Sequence, residues 1–204
     1  MSTTNKAAGD LAQALNRSVV GIQAADVLRV SSYIRTRLPS TGGDDGIVVA
    51  GTISQNQTLS AALHAALVGG KAAVGSVVSI NNVVSYQAYA TEKYYSLTDY
   101  FAFVYGILQH YDLPDAFAAL ASSGDEAPQQ LTDATSSTRC LVINPTDALH
   151  CPISARAATA AFTFANKAHA HSNTFQLTVD TTANSTAVFR TVADWLLRGV
   201  QAMG

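Results

Sequence analysis

The chain has 204 residues, 48% of them apolar and 13% charged, with a formal net charge of −2. Four lysines and eight arginines are too few for a strongly basic nucleic-acid binder, whose affinity comes from neutralising many phosphates. No run approaches the roughly 18 uninterrupted apolar residues of a membrane span, and the opening MSTTNKAAGD has no apolar core of a secretory signal.

Taken in chain order, residues 7–38 read as two helical pieces broken near Gly21, a region able to act as an N-terminal arm, with Pro39 ending the second piece. STGGDDG follows as a turn, and IVVAGTI reads as a short buried strand. Thr58 caps LSAALHAALV, which stops at Gly69 and Gly70. AVGSVVSI and VVSYQAYA flank Asn81-Asn82, so residues near 73–90 are expected to form a β-hairpin. Ser96 with Asp99 resembles a capping box that opens an aromatic-rich helix over 97–111, and Pro114 opens a shorter one, DAFAALASS. DEAPQQLTDATSST, the most polar tract, reads as a surface loop or seam.

The last third begins with a second expected hairpin at 139–153, two β-like runs around Asn-Pro-Thr-Asp. Residues 154–170 are open between helix and strand, with helix preferred for their alanine content and spacing. A strand over 174–181 and an amphipathic helix over 186–202 close the chain, the latter with Val188, Val192, Trp195 and Leu196 inward. The expected fold class is therefore α+β: one structural domain over 1–204 with an antiparallel sheet packed against several helices.

The aromatic stretch YYSLTDYFAFVYGILQHY is the most unusual in the chain. On a helix it would be apolar nearly all round, which calls for a central place in the core or for cover from another molecule. Tyrosine suits interfaces because it is rigid, large and amphipathic, so Tyr94, Tyr95, Tyr100, Phe103, Tyr105 and Tyr111 form the candidate subunit contact.

Chemical motifs are sparse. Cys140 and Cys151 would face each other across the 139–153 hairpin, where two reduced thiols are the favoured reading and a disulfide the alternative. His150, Cys151, His169 and His171 offer metal-ligand types without a recognised spacing, so no metal or cofactor is expected. His150 and Cys151 are neighbours whose side chains would point to opposite faces of a strand, so they form no dyad there. Arg17, Arg29, Arg35 and Arg37 could follow a phosphate backbone along one helix, against the plainer reading of a solvated face.

Low charge, an amide-and-hydroxyl surface and surplus apolar area fit a subunit that meets copies of itself. The leading expectation is a self-assembling structural protein, a viral coat subunit forming a shell or filament around nucleic acid, RNA favoured. It would sit in the virion if viral and otherwise in the cytoplasm, and it would not be an enzyme. The alternatives are a small hydrolase or transferase with a site assembled from dispersed residues such as His110, Asp112, His150 and Cys151, or a ligand- or glycan-binding module using the tyrosines.

Overall fold

Short, largely apolar runs make the sheet, the two central ones buried along nearly their whole length, and helices link them. The computed structural model describes residues 18–37, 47–50, 56–93, 99, 102, 104–120, 138–170, 174–180, 182 and 185–201. Helix α1 spans Val19–Arg37, strand β1 Ile47–Ala50, α2 Asn56–Ala73 and β2 Val74–Ile80. There follow α3 (Tyr86–Thr91), a 3-10 turn (Ile107–Gln109), α4 (Leu113–Ala119) and β3 (Arg139–Ile143). The last elements are α5 (Ala155–Ala161), α6 (Thr163–Ala168), β4 (Phe175–Thr178) and α7 (Ser185–Gln201). Among these described residues no helix is long and apolar enough to cross a membrane.

The sheet has the order β1-β2-β3-β4 and all three pairings are parallel. This overturns the antiparallel α+β expectation. Neither hairpin forms, and the reason is visible in each return arm. After β2, Asn81 does take a left-handed φ of 49°, but Ser85 accepts a hydrogen bond from the Ala88 amide and caps a helix instead of a strand. Tyr86 and Tyr89, three apart, are both buried from that helix. After β3, residues 144–153 form a loop whose one antiparallel contact is an isolated bridge between Thr146 and Pro152. The predicted strand at 174–181 is present as β4, but parallel to β3.

Consecutive strands are neighbours, so every crossover runs the same way, and right-handed connections then place the linking helices on one face. That face holds the larger core. Leu59 and Leu63 of α2, Leu113 and Phe117 of α4 and Phe162 beside α5 pack with Val77, Cys140 and Val142 of the sheet. Phe117, Phe162 and Phe175 meet in edge and tilted contacts with centroids 5.7–6.1 Å apart. The alternate strand residues, Val78, Ile80, Leu141 and Ile143, face the other way and are covered by Val188 and Trp195 of α7, with Val192 and Leu196 beside them.

The first expected helical piece lies, up to residue 17, outside the described residues, while Gly21 lies inside α1, which starts beside Ser18, whose Oγ accepts the Gly21 amide at 2.9 Å. That helix lies along α2, and Gly69 makes the close approach feasible, since a Cβ there would stand 2.4 Å from Leu28 Cδ2. The aromatic helix over 97–111 is not a helix across its described second half. Gly106 takes φ 77° and only Ile107–Gln109 forms a 3-10 turn. Tyr94, Tyr95, Tyr100, Phe101 and Phe103 lie outside the described residues. Residues 154–170 resolve as two short helices.

Candidate functional site

In a parallel sheet the carboxyl ends of the strands open onto loops that need not follow the ladder. Here those loops are strained. Among the described residues three non-glycine residues have positive φ: Asn81 at 49°, Asn144 at 48° and His150 at 62°. All three follow β2 or β3. For histidine such a backbone is uncommon, costs on the order of 1–3 kcal/mol, and persists only where the surroundings over-determine it.

The surroundings of His150 do so. Asp147 Oδ1 accepts the amides of Leu149 and Cys151 at 2.9 and 2.8 Å, and the Asp147 amide donates to the Cys151 carbonyl at 2.9 Å. The 147–151 loop is thus closed on itself. It holds the imidazole so that Nε2 stands 2.9 Å from Asp99 Oδ2, the carboxylate being 1% exposed and the imidazole 29%.

Asp99 is one member of a chain of hydrogen bonds with a defined direction. The Val83 amide donates to Asn56 Oδ1 at 2.8 Å, and Asn56 Nδ2 donates to the Tyr89 hydroxyl at 2.7 Å. That hydroxyl donates in turn to Asp99 Oδ2 at 2.8 Å. Burial first, then the charge and hydrogen bond of Asp99, push the Tyr89 hydroxyl well above its ordinary pKa, so it remains a donor. Asp99 Oδ2 consequently receives two donors, Tyr89 O–H and His150 Nε2–H. An acceptor-only carboxylate at Nε2 leaves the lone pair of the neutral imidazole on Nδ1.

Asn56 begins a polar stripe along α2. Ser60, four residues on, accepts the Tyr86 hydroxyl at 2.9 Å. His64, four further, places Nδ1 2.6 Å from the Ser60 carbonyl and its ring 5.9 Å from that of Tyr111. Burial lowers the His64 pKa, and the neutral ring donates through Nδ1. The hydroxyls of Tyr86 and Tyr89 are therefore accommodated within the chain.

Not every buried polar atom is. Asn82 Oδ1, Asp99 Oδ1 and Thr146 Oγ1 are buried without a hydrogen-bond partner among the described residues. Their residues are only 1%, 1% and 3% exposed. Asn82 and Thr146 are joined through the backbone, since the Thr146 amide donates to the Asn82 carbonyl at 2.9 Å. Gln23, Ser31 and His64 each leave one more such atom, all three on helices α1 and α2.

The residues singled out by sequence disperse. Asp112 caps α4, and its carboxylate accepts from Ser85 Oγ at 2.5 Å and from the Tyr86 amide at 2.6 Å, so it joins two helix starts. His110 is exposed. Cys140 is buried in the sheet, where burial raises its pKa, while Cys151 is exposed on the loop, and both thiols are free. Without the hairpin nothing holds them opposite each other. His169 is 2% exposed, with Nε2 3.0 Å from the Phe117 carbonyl and Nδ1 2.5 Å from Thr174 Oγ1. His171 and Arg17 lie outside the described residues. Arg29 is paired with Asp26 at 2.9 Å, and Arg37 lies 5.4 Å over the Tyr33 ring. Arg35 is exposed on the same helix. Tyr105 is 95% exposed and Tyr111 half-buried. Among the described residues no three His, Cys, Asp or Glu side chains are grouped as a metal ion would need.

Sequence reasoning named His150 and missed Asp99, Tyr89 and Asn56 as its partners. Asp99 carried only a capping signal, and Tyr89 was read in a strand. The usable signal was the density of short, mostly apolar runs, IVVA, VVSI and CLVI, which suits the strands of a parallel sheet. The chain matches no protein-family description, no curated protein and no solved structure.

Proposed function

We propose that this chain is a small hydrolase or transferase in which His150 is the general base. The observation that carries the reading is the buried Asp99 carboxylate 2.9 Å from His150 Nε2 on a loop at the carboxyl edge of the parallel sheet. Nδ1 takes a proton from the O–H of water or of an acceptor as that oxygen attacks an electrophilic carbon or phosphorus. Asp99 stabilises the imidazolium so formed. The same proton then passes to the departing oxygen as its bond breaks, which leaves the protein as it began. Tyr89 and Asn56 are positioning residues: they hold Asp99 and touch no substrate.

The test is a screen of purified protein against chromogenic esters, glycosides and phosphoesters, followed by His150→Ala and Asp99→Asn. Loss of a general base lowers turnover by about 10²–10⁴-fold, and Asp99→Asn lowers kcat with KM nearly unchanged. Turnover that is the same in the wild type and both variants overturns the reading.

A second reading, the self-assembling subunit, is favoured by the outer side of α7. Phe189, Ala193 and Leu197 recur every four residues beside the inward set, and Phe189 and Leu197 are 64% and 61% exposed. A helix with two adjacent apolar stripes and only one covered is suited to a second copy of the chain. Negative-stain images with shells, rings or filaments that vanish in Leu197→Asp would support it, as a coat or otherwise. Particles whose 260/280 nm absorbance is that of nucleoprotein would add RNA as partner, with Arg29, Arg35 and Arg37 as contacts. A monomer at all concentrations would end this reading.

A further inference from the structure

Helix α1 has two apolar sides. Val20, Ala24 and Ser31 are buried on the side that lies along α2. On the other side Ile22 is 43% exposed, Val30 57% and Tyr33 61%. At about 100° per residue, Ile22, Asp26, Arg29 and Tyr33 fall within one arc about 60° wide, opposite the buried set, with Val30 at its border. Their spacing of four, three and four is that of a coiled-coil seam. Single apolar residues on a surface need no explanation, but an aligned stripe does.

The order of residues along the stripe identifies its occupant. Ile22 and Tyr33, and likewise Asp26 and Arg29, are placed symmetrically about the point between residues 27 and 28. A second copy laid antiparallel therefore brings an apolar side chain to each apolar one and a guanidinium to each carboxylate. A parallel copy in register sets Asp26 against Asp26 and Arg29 against Arg29, which like charges oppose. Arg29 Nη1 already donates to Asp26 Oδ1 of its own helix at 2.9 Å, with the two side chains 78% and 60% exposed. Between two antiparallel helices these pairs close into a ring of four alternating charges. One exposed ion pair contributes little to stability. Its part here is to fix direction and register, while the apolar flanks supply the attraction.

We infer that the outer face of α1 is a two-fold contact between two copies of this chain, with the helices antiparallel, Ile22 packed on the second copy's Tyr33 and Asp26 facing the second copy's Arg29. This goes beyond the α7 stripe of the assembly reading and is independent of the catalytic one. A two-fold contact closes on itself, so α1 alone gives a dimer, and a shell or filament needs a further contact such as α7. One helix pair makes a small interface, below about 1,200 Å² in total, so pairing is expected at micromolar concentrations.

The experiment is sedimentation velocity of the full chain from about 1 to about 300 µM, with circular dichroism melts to show that each variant folds. The wild type should pass from monomer to dimer across this range. Arg29→Asp and Tyr33→Asp should each weaken pairing at least about tenfold, and Asp26→Arg combined with Arg29→Asp should restore it to within about threefold of the wild type. Leu197→Asp should leave the dimer intact. Ile22→Cys and Tyr33→Cys, each combined with Cys151→Ser, should cross-link on oxidation when mixed and neither with itself, because like positions stand about 16 Å apart along antiparallel axes. A wild type that stays monomeric, pairing indifferent to Arg29→Asp and Tyr33→Asp, no recovery in the double exchange, self-cross-linking of either cysteine variant, or loss of the dimer in Leu197→Asp would each overturn the inference. Particle images separate it from the assembly reading. A dimer that builds no particles ends that reading and keeps the α1 contact, whereas particles unchanged by Arg29→Asp and Tyr33→Asp keep that reading and sink the α1 contact.

Discussion

The two ends of the parallel sheet are built to different standards. At the amino end every named polar group is used. Thr138 Oγ1 donates to the Val74 carbonyl at 3.1 Å, and Arg139 lies 4.0 Å over the Trp195 ring while donating to the Trp195 carbonyl at 2.7 Å. This tethers α7 to the start of β3. At the carboxyl end three of the described residues that are not glycine take left-handed backbone, and three buried oxygens have no partner among the described residues. Both ends are formed by the same strands, so the difference is not one of fold. Unmet hydrogen bonds are not confined to the carboxyl end, since Gln23, Ser31 and His64 of α1 and α2 each leave one buried atom unpartnered as well, but among the described residues left-handed non-glycine backbone occurs only there.

The largest expected effect comes from breaking the satisfied end. Trp195→Ala removes the ring beneath Arg139 and the anchor of α7 on the smaller core, and should cost about 3–5 kcal/mol in urea unfolding. A loss below about 1 kcal/mol would mean that α7 is held elsewhere and that the contrast between the ends is overstated. Next is Asn56→Ala, which strands the Val83 amide and withdraws the donor from Tyr89. About 2–3 kcal/mol is expected, together with amide shifts that reach residues 147–151 through Asp99 and His150. Shifts confined to α2 and α3 would show that the hydrogen-bond chain does not couple to the loop.

Acid should weaken the fold before any carboxylate titrates. His64 and His169 are both held by burial below the usual histidine value of 6.5. The unfolded chain takes up protons as pH falls through about 6.5, while the folded chain resists them. Stability is therefore complete above that pH and declines below it, by up to about 1.4 kcal/mol per pH unit for each histidine. Urea midpoints measured across this range should fall, and His64→Phe should flatten the decline. A midpoint that rises on acidification contradicts the assignment. The smallest effect is Thr146→Val, expected within about 0.5 kcal/mol of the wild type or on the stabilising side. A large loss there would place Thr146 among the structural polar groups and erase the contrast between the ends.

Much of the local architecture could be read directly from the residues. Asn81 takes the left-handed backbone that a turn asparagine tolerates, Gly70 does so at the close of α2 with φ 63°, and Pro114 sits in the first turn of α4 behind the Asp112 cap. Val188, Val192, Trp195 and Leu196 face inward from α7 as their spacing requires. These features are legible because they depend on neighbours within one turn of the chain. The direction of the strands was not, since a turn at Asn81-Asn82 serves equally as the start of a hairpin or as the exit from a strand into a capped helix.

What the residues by themselves determined is the set of parts: buried apolar runs, capped helices, a low-charge surface and a histidine beside a cysteine. Only the tertiary structure decided that the runs lie parallel and that His150 meets Asp99, 51 positions apart in the numbering. It also decided that the tyrosine hydroxyls turn inward to α2. The physical reason is that periodicity and capping act over a few residues, whereas a hydrogen bond between distant residues exists only once the crossovers have brought their loops to one edge of the sheet.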